Sequence, residues 1–149
     1  MPRVDFYIVQ GTTQDAQWQF ACRLIEKAYK MGHHIYAHLN TQADAQLFDQ
    51  LLWSFRPDSF IPHHILDAQS PRTKDNKVAI GWQNPPHPPY DVLINLANTI
   101  PEAFSHFNRV SEIVYGHEES RKNSRKNFMI YRESGYPLHT HDLRKTMRE

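Results

Sequence analysis

The sequence predicts an α/β domain built on a mainly parallel sheet. From the N-terminus, a β-branched and aromatic run, an amphipathic helical pattern, a second short strand and a second helix follow one another. That is the order of a βαβ unit. The chain has 149 residues, 40% of them hydrophobic, with three Trp, eight Phe and seven Tyr. This length fits one domain, and a chain of that size buries roughly 70% of its unfolded surface, enough for its own core. No internal repeat or linker interrupts it, so residues 1–140 form the predicted domain and 141–149 a frayed C-terminal tail.

Residues 4–9 read as a buried strand closed by Gly11. Thr12 with Asp15 three residues later reads as a capping box, with Thr12 as N-cap. The helix it opens carries Trp18, Ala21, Ile25 and Ala28 at helical spacing and stops at Gly32. Residues 35–38 form a short strand, and Thr41 with Asp44 makes a second capping box. Its helix places Leu47, Phe48, Leu51, Leu52 and Phe55 on one side. Further on, 78–82 and 92–97 are predicted strands. Residues 70–77 read as a polar loop, and 84–89, with four prolines, as an extended one. A short helix opens at Pro101, 110–115 is a strand, and 117–133 is a final helix stopped by Gly135. From His139 onward the chain reads as fraying.

Composition and motifs remove several function classes. Cys22 is the single cysteine, so no intrachain disulfide forms and a reducing compartment is expected. No apolar run approaches the roughly 20 residues of a membrane span, and the first residues do not resemble a signal peptide; a cytoplasmic protein is expected. The first strand–helix turn, Gln10-Gly11-Thr12-Thr13, lacks the glycines of a dinucleotide fingerprint and the Gly-Lys-Ser/Thr of a P-loop. Ten histidines include the pairs His33-His34, His63-His64 and His139 with His141, but none has the spacing of a zinc motif. Cys22 falls mid-helix near the apolar stripe, the position of an inert thiol, and no serine sits in a nucleophile elbow. Neither catalysis, a cofactor nor a metal is expected.

Two features call for a partner. Trp53 projects almost opposite the centre of the second helix's apolar stripe; either another element covers the indole or it stands open as an anchor. Tryptophan is strongly enriched at interface hot spots. Phe60 and Pro62 follow on a proline-stiffened segment and could join Trp53 in one patch. The second feature is charge. Residues 1–116 carry nine Lys+Arg against eleven Asp+Glu, whereas 117–149 carry eight against five. On the final helix Arg121, Arg125, Phe128 and Arg132 share a narrow arc, and Lys122 and Lys126 widen it. Such a strip is either a solvated helix face or a site for an acidic, apolar-tipped ligand. Single-stranded nucleic acid would also fit it, through stacking and phosphate contacts.

The run Leu52-Trp53-Ser54-Phe55-Arg56-Pro57-Asp58-Ser59-Phe60-Ile61-Pro62-His63 resembles a characteristic segment of the chi subunit of bacterial DNA polymerase III. Asp5-Phe6-Tyr7, Asp91-Val92-Leu93-Ile94-Asn95-Leu96 and Tyr131-Arg132-Glu133-Ser134-Gly135-Tyr136 match that family's layout, so the resemblance spans nearly the whole chain. It implies a Rossmann-like three-layer sandwich without nucleotide chemistry. It also implies an accessory, non-catalytic role in DNA replication, bridging the psi subunit of the clamp-loader complex to the single-stranded DNA-binding protein. By the same resemblance the psi contact falls on Trp53, Phe60 and Pro62. The acidic, phenylalanine-ending C-terminal tail of the single-stranded DNA-binding protein falls on Val114, Arg121, Arg125 and Phe128. DNA would then be met mainly through that protein; direct single-strand binding by the C-terminal basic helix is the alternative. This chain has Phe128-Met129 where relatives often have tyrosine and lysine, one hydroxyl and one positive charge fewer.

Overall fold

The computed structural model describes residues 2–58, 60–66, 77–83 and 90–144. Its strands are β1 (Arg3–Ile8), β2 (Ile35–His38), β3 (His63–Ile65), β4 (Val78–Gly81), β5 (Val92–Asn95), β6 (Arg109–Val114) and β7 (Leu138–Asp142). The helices are α1 (Gln14–Lys30), α2 (Gln42–Ser54) and α3 (Glu118–Glu133), with a 3₁₀ turn at Glu102–His106. One sheet contains all seven strands in the order β3-β4-β2-β5-β6-β1-β7, and every pairing is parallel.

The chain moves from β1 through α1 and α2 toward the β3 edge, then returns and ends beyond β1 with α3 and β7. Parallel crossovers are right-handed. Connections that travel in opposite directions along the sheet therefore lie on opposite faces. Two cores result. Ile35, Ala37, Val92 and Ile94 face Ile25, Phe48 and Leu52 of α1 and α2. Tyr36, Leu93, Val4 and Phe6 face Tyr131 and Phe128 of α3. The period-2 alternation of each strand feeds both layers, giving the expected three-layer α/β sandwich.

Local signals set most boundaries. Thr41 caps α2 as expected, its Oγ1 accepting from the Asp44 N–H at 3.1 Å. For α1 the cap is Thr13, not Thr12: its Oγ1 accepts from the Ala16 N–H at 3.3 Å. Gly11 explains the shift, since it turns the chain at φ +117° before the helix can start. The α2 stripe is Ala45, Phe48 and Leu52, all buried, with Leu51 and Phe55 at its margin. Leu47 is not part of it and stands 60% exposed. The proline-rich segment 84–89 and all but Lys77 of the polar loop 70–77 lie outside the described residues.

Two strands went unforeseen. β3 is three residues long and holds two histidines, too short and polar to show a period. The chain expected to fray from His139 instead forms β7, in parallel register with β1 from Val4↔Leu138 to Ile8↔Asp142. Its polarity is that of an edge strand with an open face, and it is anchored through Leu138 in the second core and through His141. The His141 Nε2 lies 2.8 Å from Asp5 Oδ1. Asp5 is buried. Burial alone would raise its carboxyl, but hydrogen bonds from His141, Arg109 and Arg3 outweigh that and hold it below the usual carboxylate range.

A second buried acid fixes α3. Glu112 of β6 accepts from the Tyr131 hydroxyl at 2.7 Å and the Asn95 Nδ2 at 2.9 Å. Burial pushes its carboxyl up to about 7, against the partial pull of hydrogen bonds from Asn95, Tyr131 and Asn127. The unfolded carboxyl titrates near 4.5. Between those values the folded chain keeps a proton that the unfolded chain has lost, so stability falls as pH rises through the window and levels above it. Glu112→Gln should abolish that component: the melting-temperature difference between variant and parent grows from pH 5 to about 7. A difference independent of pH would show that Glu112 does not titrate there.

Candidate functional site

The turn between α2 and β3 builds an aromatic patch. Trp53 lies on the outer side of α2, partly covered by β3 and the turn before it, and remains 43% exposed. Its ring packs on that of His63, with centroids 4.1 Å apart, and on that of Phe60 at 5.5 Å. His63 is buried, its Nδ1 facing the Ile61 carbonyl at 2.7 Å and its Nε2 the Asp49 carboxylate at 3.2 Å. Phe60 is 73% exposed, Ile61 beside it is buried, and Pro62 is half-buried. An ion pair between Arg56 and Glu26 of α1, at 3.1 Å, ties the turn to the helix layer. Two large, partly exposed rings are thus held together by packing within the turn.

The second surface is a cleft at the carboxyl ends of β1 and β6. Its volume is about 270 Å³, and Ile8, Val114, Gly11, Gly116, Arg121 and Arg144 line it. The Gly116 N–H donates to the Gly11 carbonyl at 2.8 Å. A Cβ on Gly116 would stand 3.0 Å from that oxygen, so glycine lets the two loops touch. The cleft combines an apolar wall, Ile8 and Val114, with two guanidinium groups at its rim. Arg144 was not foreseen, because its place depends on β7. It is oriented by Asp142, Nη2 to Oδ2 at 2.6 Å and Nε to Oδ1 at 2.9 Å.

The structure divides the four expected cleft residues. Val114 and Arg121 line the cavity; Arg125 and Phe128 lie outside its lining, further along α3. Arg125 is exposed, with its Nε 3.4 Å from the Arg121 carbonyl. Phe128 is half-buried and packs edge-on against Phe6, with centroids 5.2 Å apart, as part of the second core. It therefore serves packing as well as any surface role.

Doubly wound sheets bind ligands where neighbouring connections diverge at the carboxyl end. In this chain two points qualify: that between β6 and β1, where the cationic cleft lies, and that between β2 and β5. The crevice at the second has a volume of about 40 Å³, room for a few water molecules. Its carboxamides hold loops: Asn40 Oδ1 accepts from the Asn98 N–H at 2.9 Å, and Asn95 Oδ1 from the Ala97 N–H at 3.1 Å. Asn127 Nδ2 donates to the Asn98 carbonyl at 3.2 Å. In the turn after β1, Thr13 caps α1 and the Gly11 carbonyl accepts from the Gly116 N–H. Burial pushes the Cys22 thiol up to about 12 and the His38 imidazole down to about 4, so both stay neutral near pH 7. His33 is bonded to Asp91 and His141 to Asp5. No helix among the described residues is long and apolar enough to cross a membrane.

The sequence model of the family described as DNA polymerase III chi subunit, HolC, matches residues 1–139. The chain belongs to the DNA polymerase III chi subunit family. DNA polymerase III subunit chi of Pseudomonas aeruginosa is 41% identical over 145 residues, covering 96% of this chain and 98% of the relative. The chi subunits of Escherichia coli and Haemophilus influenzae are 26% and 25% identical, each over more than nine-tenths of both chains. Family membership places the chain among the accessory subunits of a replicative DNA polymerase, with a protein complex as its setting.

Packing of Phe128 on Phe6 separates two otherwise similar substitutions. Phe128→Ala should cost about 1–3 kcal/mol of stability, less than the loss of a fully buried ring. Arg125→Ala should stay within about 0.5 kcal/mol of the parent. Urea unfolding of both variants checks this; equal midpoints would contradict the packing role of Phe128.

Proposed function

We propose that the chain is a non-catalytic cytoplasmic adaptor of the clamp-loader complex. It holds a psi-type subunit on the Trp53, Phe60 and Pro62 patch. It takes the acidic, phenylalanine-ending tail of the single-stranded DNA-binding protein at the cleft of Val114 and Arg121, with Arg125 and Phe128 extending the site along α3. The observation that carries this reading is the pairing, in a chi-family chain, of an open aromatic patch with a separate cationic cleft. The cleft suits such a tail chemically. An apolar wall receives a benzyl side chain, and arginine forks pair with carboxylates.

Tethering is the mechanism. Two modest contacts on one rigid domain raise the local concentration of polymerase machinery near protein-coated template, with no chemistry at either site. Charge-assisted docking of the tail weakens with salt, whereas the apolar component is less screened. Direct strand binding by α3 has less support, because Phe128, the aromatic side chain of the basic strip, is turned onto Phe6.

Titration of a labelled acidic peptide ending in Phe tests the cleft. Arg121→Ala and Arg144→Ala should each weaken it about tenfold, near 1.4 kcal/mol; unchanged affinity in both would sink the assignment. For the other surface, Trp53→Ala should lower co-purification of the psi-type subunit while leaving peptide affinity intact. Full recovery of the complex would argue that the patch is not its seat.

A further inference from the structure

The β1–β7 end of the sheet carries a third surface, on the face occupied elsewhere by α1 and α2. Those helices run from β1 toward the β3 edge, and α1 packs against β2 and β6. β7 extends the sheet beyond them, so the side chains that β1 and β7 turn to this face stand at its open end. They are Arg3, Asp5 and Tyr7 of β1 with His139 and His141 of β7, flanked by Arg109 of β6. His139 is exposed and the His141 side chain is 35% exposed.

These groups form one continuous ladder with the near flank of α1. The Arg23 guanidinium lies over the Phe20 ring, 5.8 Å from its centroid. Phe20 meets Tyr7 at 5.3 Å, and Tyr7 stacks on His141 at 4.8 Å with 17° between the planes. His141 in turn reaches Asp5, which also pairs with Arg109 at 2.9 Å and Arg3 at 3.1 Å. A trough of about 90 Å³ lies alongside, lined by Tyr7, Ser111, Lys27 and Arg109 among others. Arg3, Arg23, Lys27 and Arg109 are four fixed cations. Asp5 and Asp91, the latter bonded to His33 at 2.8 Å beside the trough, are the two acids. The balance of +2 on this one patch exceeds the formal +1 of the whole chain.

A buried carboxylate in the middle of an open sheet face is costly unless it is paired. Here Asp5 holds two arginines and a histidine in fixed positions, so the cations are arranged before a ligand arrives. We propose that this face binds single-stranded nucleic acid. Phosphates lie along Arg3, Arg109 and Lys27, and bases rest against the partly exposed rings of Phe20 and His141. Cationic groups interleaved with rings suit a strand whose every unit offers both a phosphate and a π-face. A peptide of acidic residues alone would use the charges and leave the rings idle.

Fluorescence anisotropy of labelled oligothymidylate with the intact chain tests the proposal. Binding at low salt should have a log–log salt slope near −2, about −0.7 for each of roughly three phosphates. Arg23→Glu combined with Lys27→Glu, both exposed and outside the Asp5 cluster, should weaken it by about tenfold or more. Their circular dichroism and melting should match the parent, which separates lost binding from lost folding. Three results would overturn the proposal: no binding at low salt, unchanged affinity in the double variant, or loss of binding on reversing Lys122 and Lys126 of α3 instead. Displacement by polyglutamate at a charge concentration equal to that of oligothymidylate would also overturn it, in favour of an acidic protein partner.

Discussion

Seven strands that all run in one direction oblige every connection to cross back over the sheet. With a fixed handedness of crossover, the face on which a helix lands follows from the direction the chain is travelling. The first two crossovers travel toward β3 and the last toward β7, so α2 and α3 end on opposite faces near opposite edges. The Trp53 patch and the cationic cleft inherit that separation. Five strand intervals lie between β3 and β1, and at about 4.8 Å per interval the two surfaces stand roughly 24 Å apart across the sheet.

Two buried acids sit at critical joints of this frame. Glu112 pins α3 through the Tyr131 hydroxyl, and Asp5 draws β7 and β6 together through His141 and Arg109. Their environments differ. Glu112 has hydrogen-bond donors but no cation, so burial raises its carboxyl; Asp5 has hydrogen bonds from a histidine and two arginines, and its carboxyl stays low. One holds a helix by neutral hydrogen bonds, and the other fixes charge at an open face. The same residue class therefore stabilises the core in one place and arranges a surface in another.

How far the fold could be read from sequence tracked the strength of local periodicity. β2 and the Thr41 cap were legible because β-branched or aromatic residues, and a threonine with a well-placed acid, leave few alternatives. β7 was not, since Leu-His-Thr-His-Asp has no apolar alternation and its place depends on pairing with β1, more than 130 residues earlier. The aromatic patch was visible as Trp53 and Phe60, but that His63 would serve as its platform was not. The cleft was legible only in part: Arg121 stands on a readable helix, whereas Arg144 and the touching glycines depend on the assembled sheet. Phe128 illustrates the opposite error. On a helical wheel it belongs to the basic face, and only the tertiary structure reveals its ring against Phe6.

The two surfaces proposed for docking are independent if the sheet that separates them is rigid. Calorimetric titration of an acidic, phenylalanine-ending peptide into the chain, alone and saturated with a psi-type subunit, measures that independence as a coupling factor. The account predicts one peptide per chain and an affinity unchanged within about twofold. Displacement of the peptide by the partner, or a coupling of about tenfold or more, would contradict it.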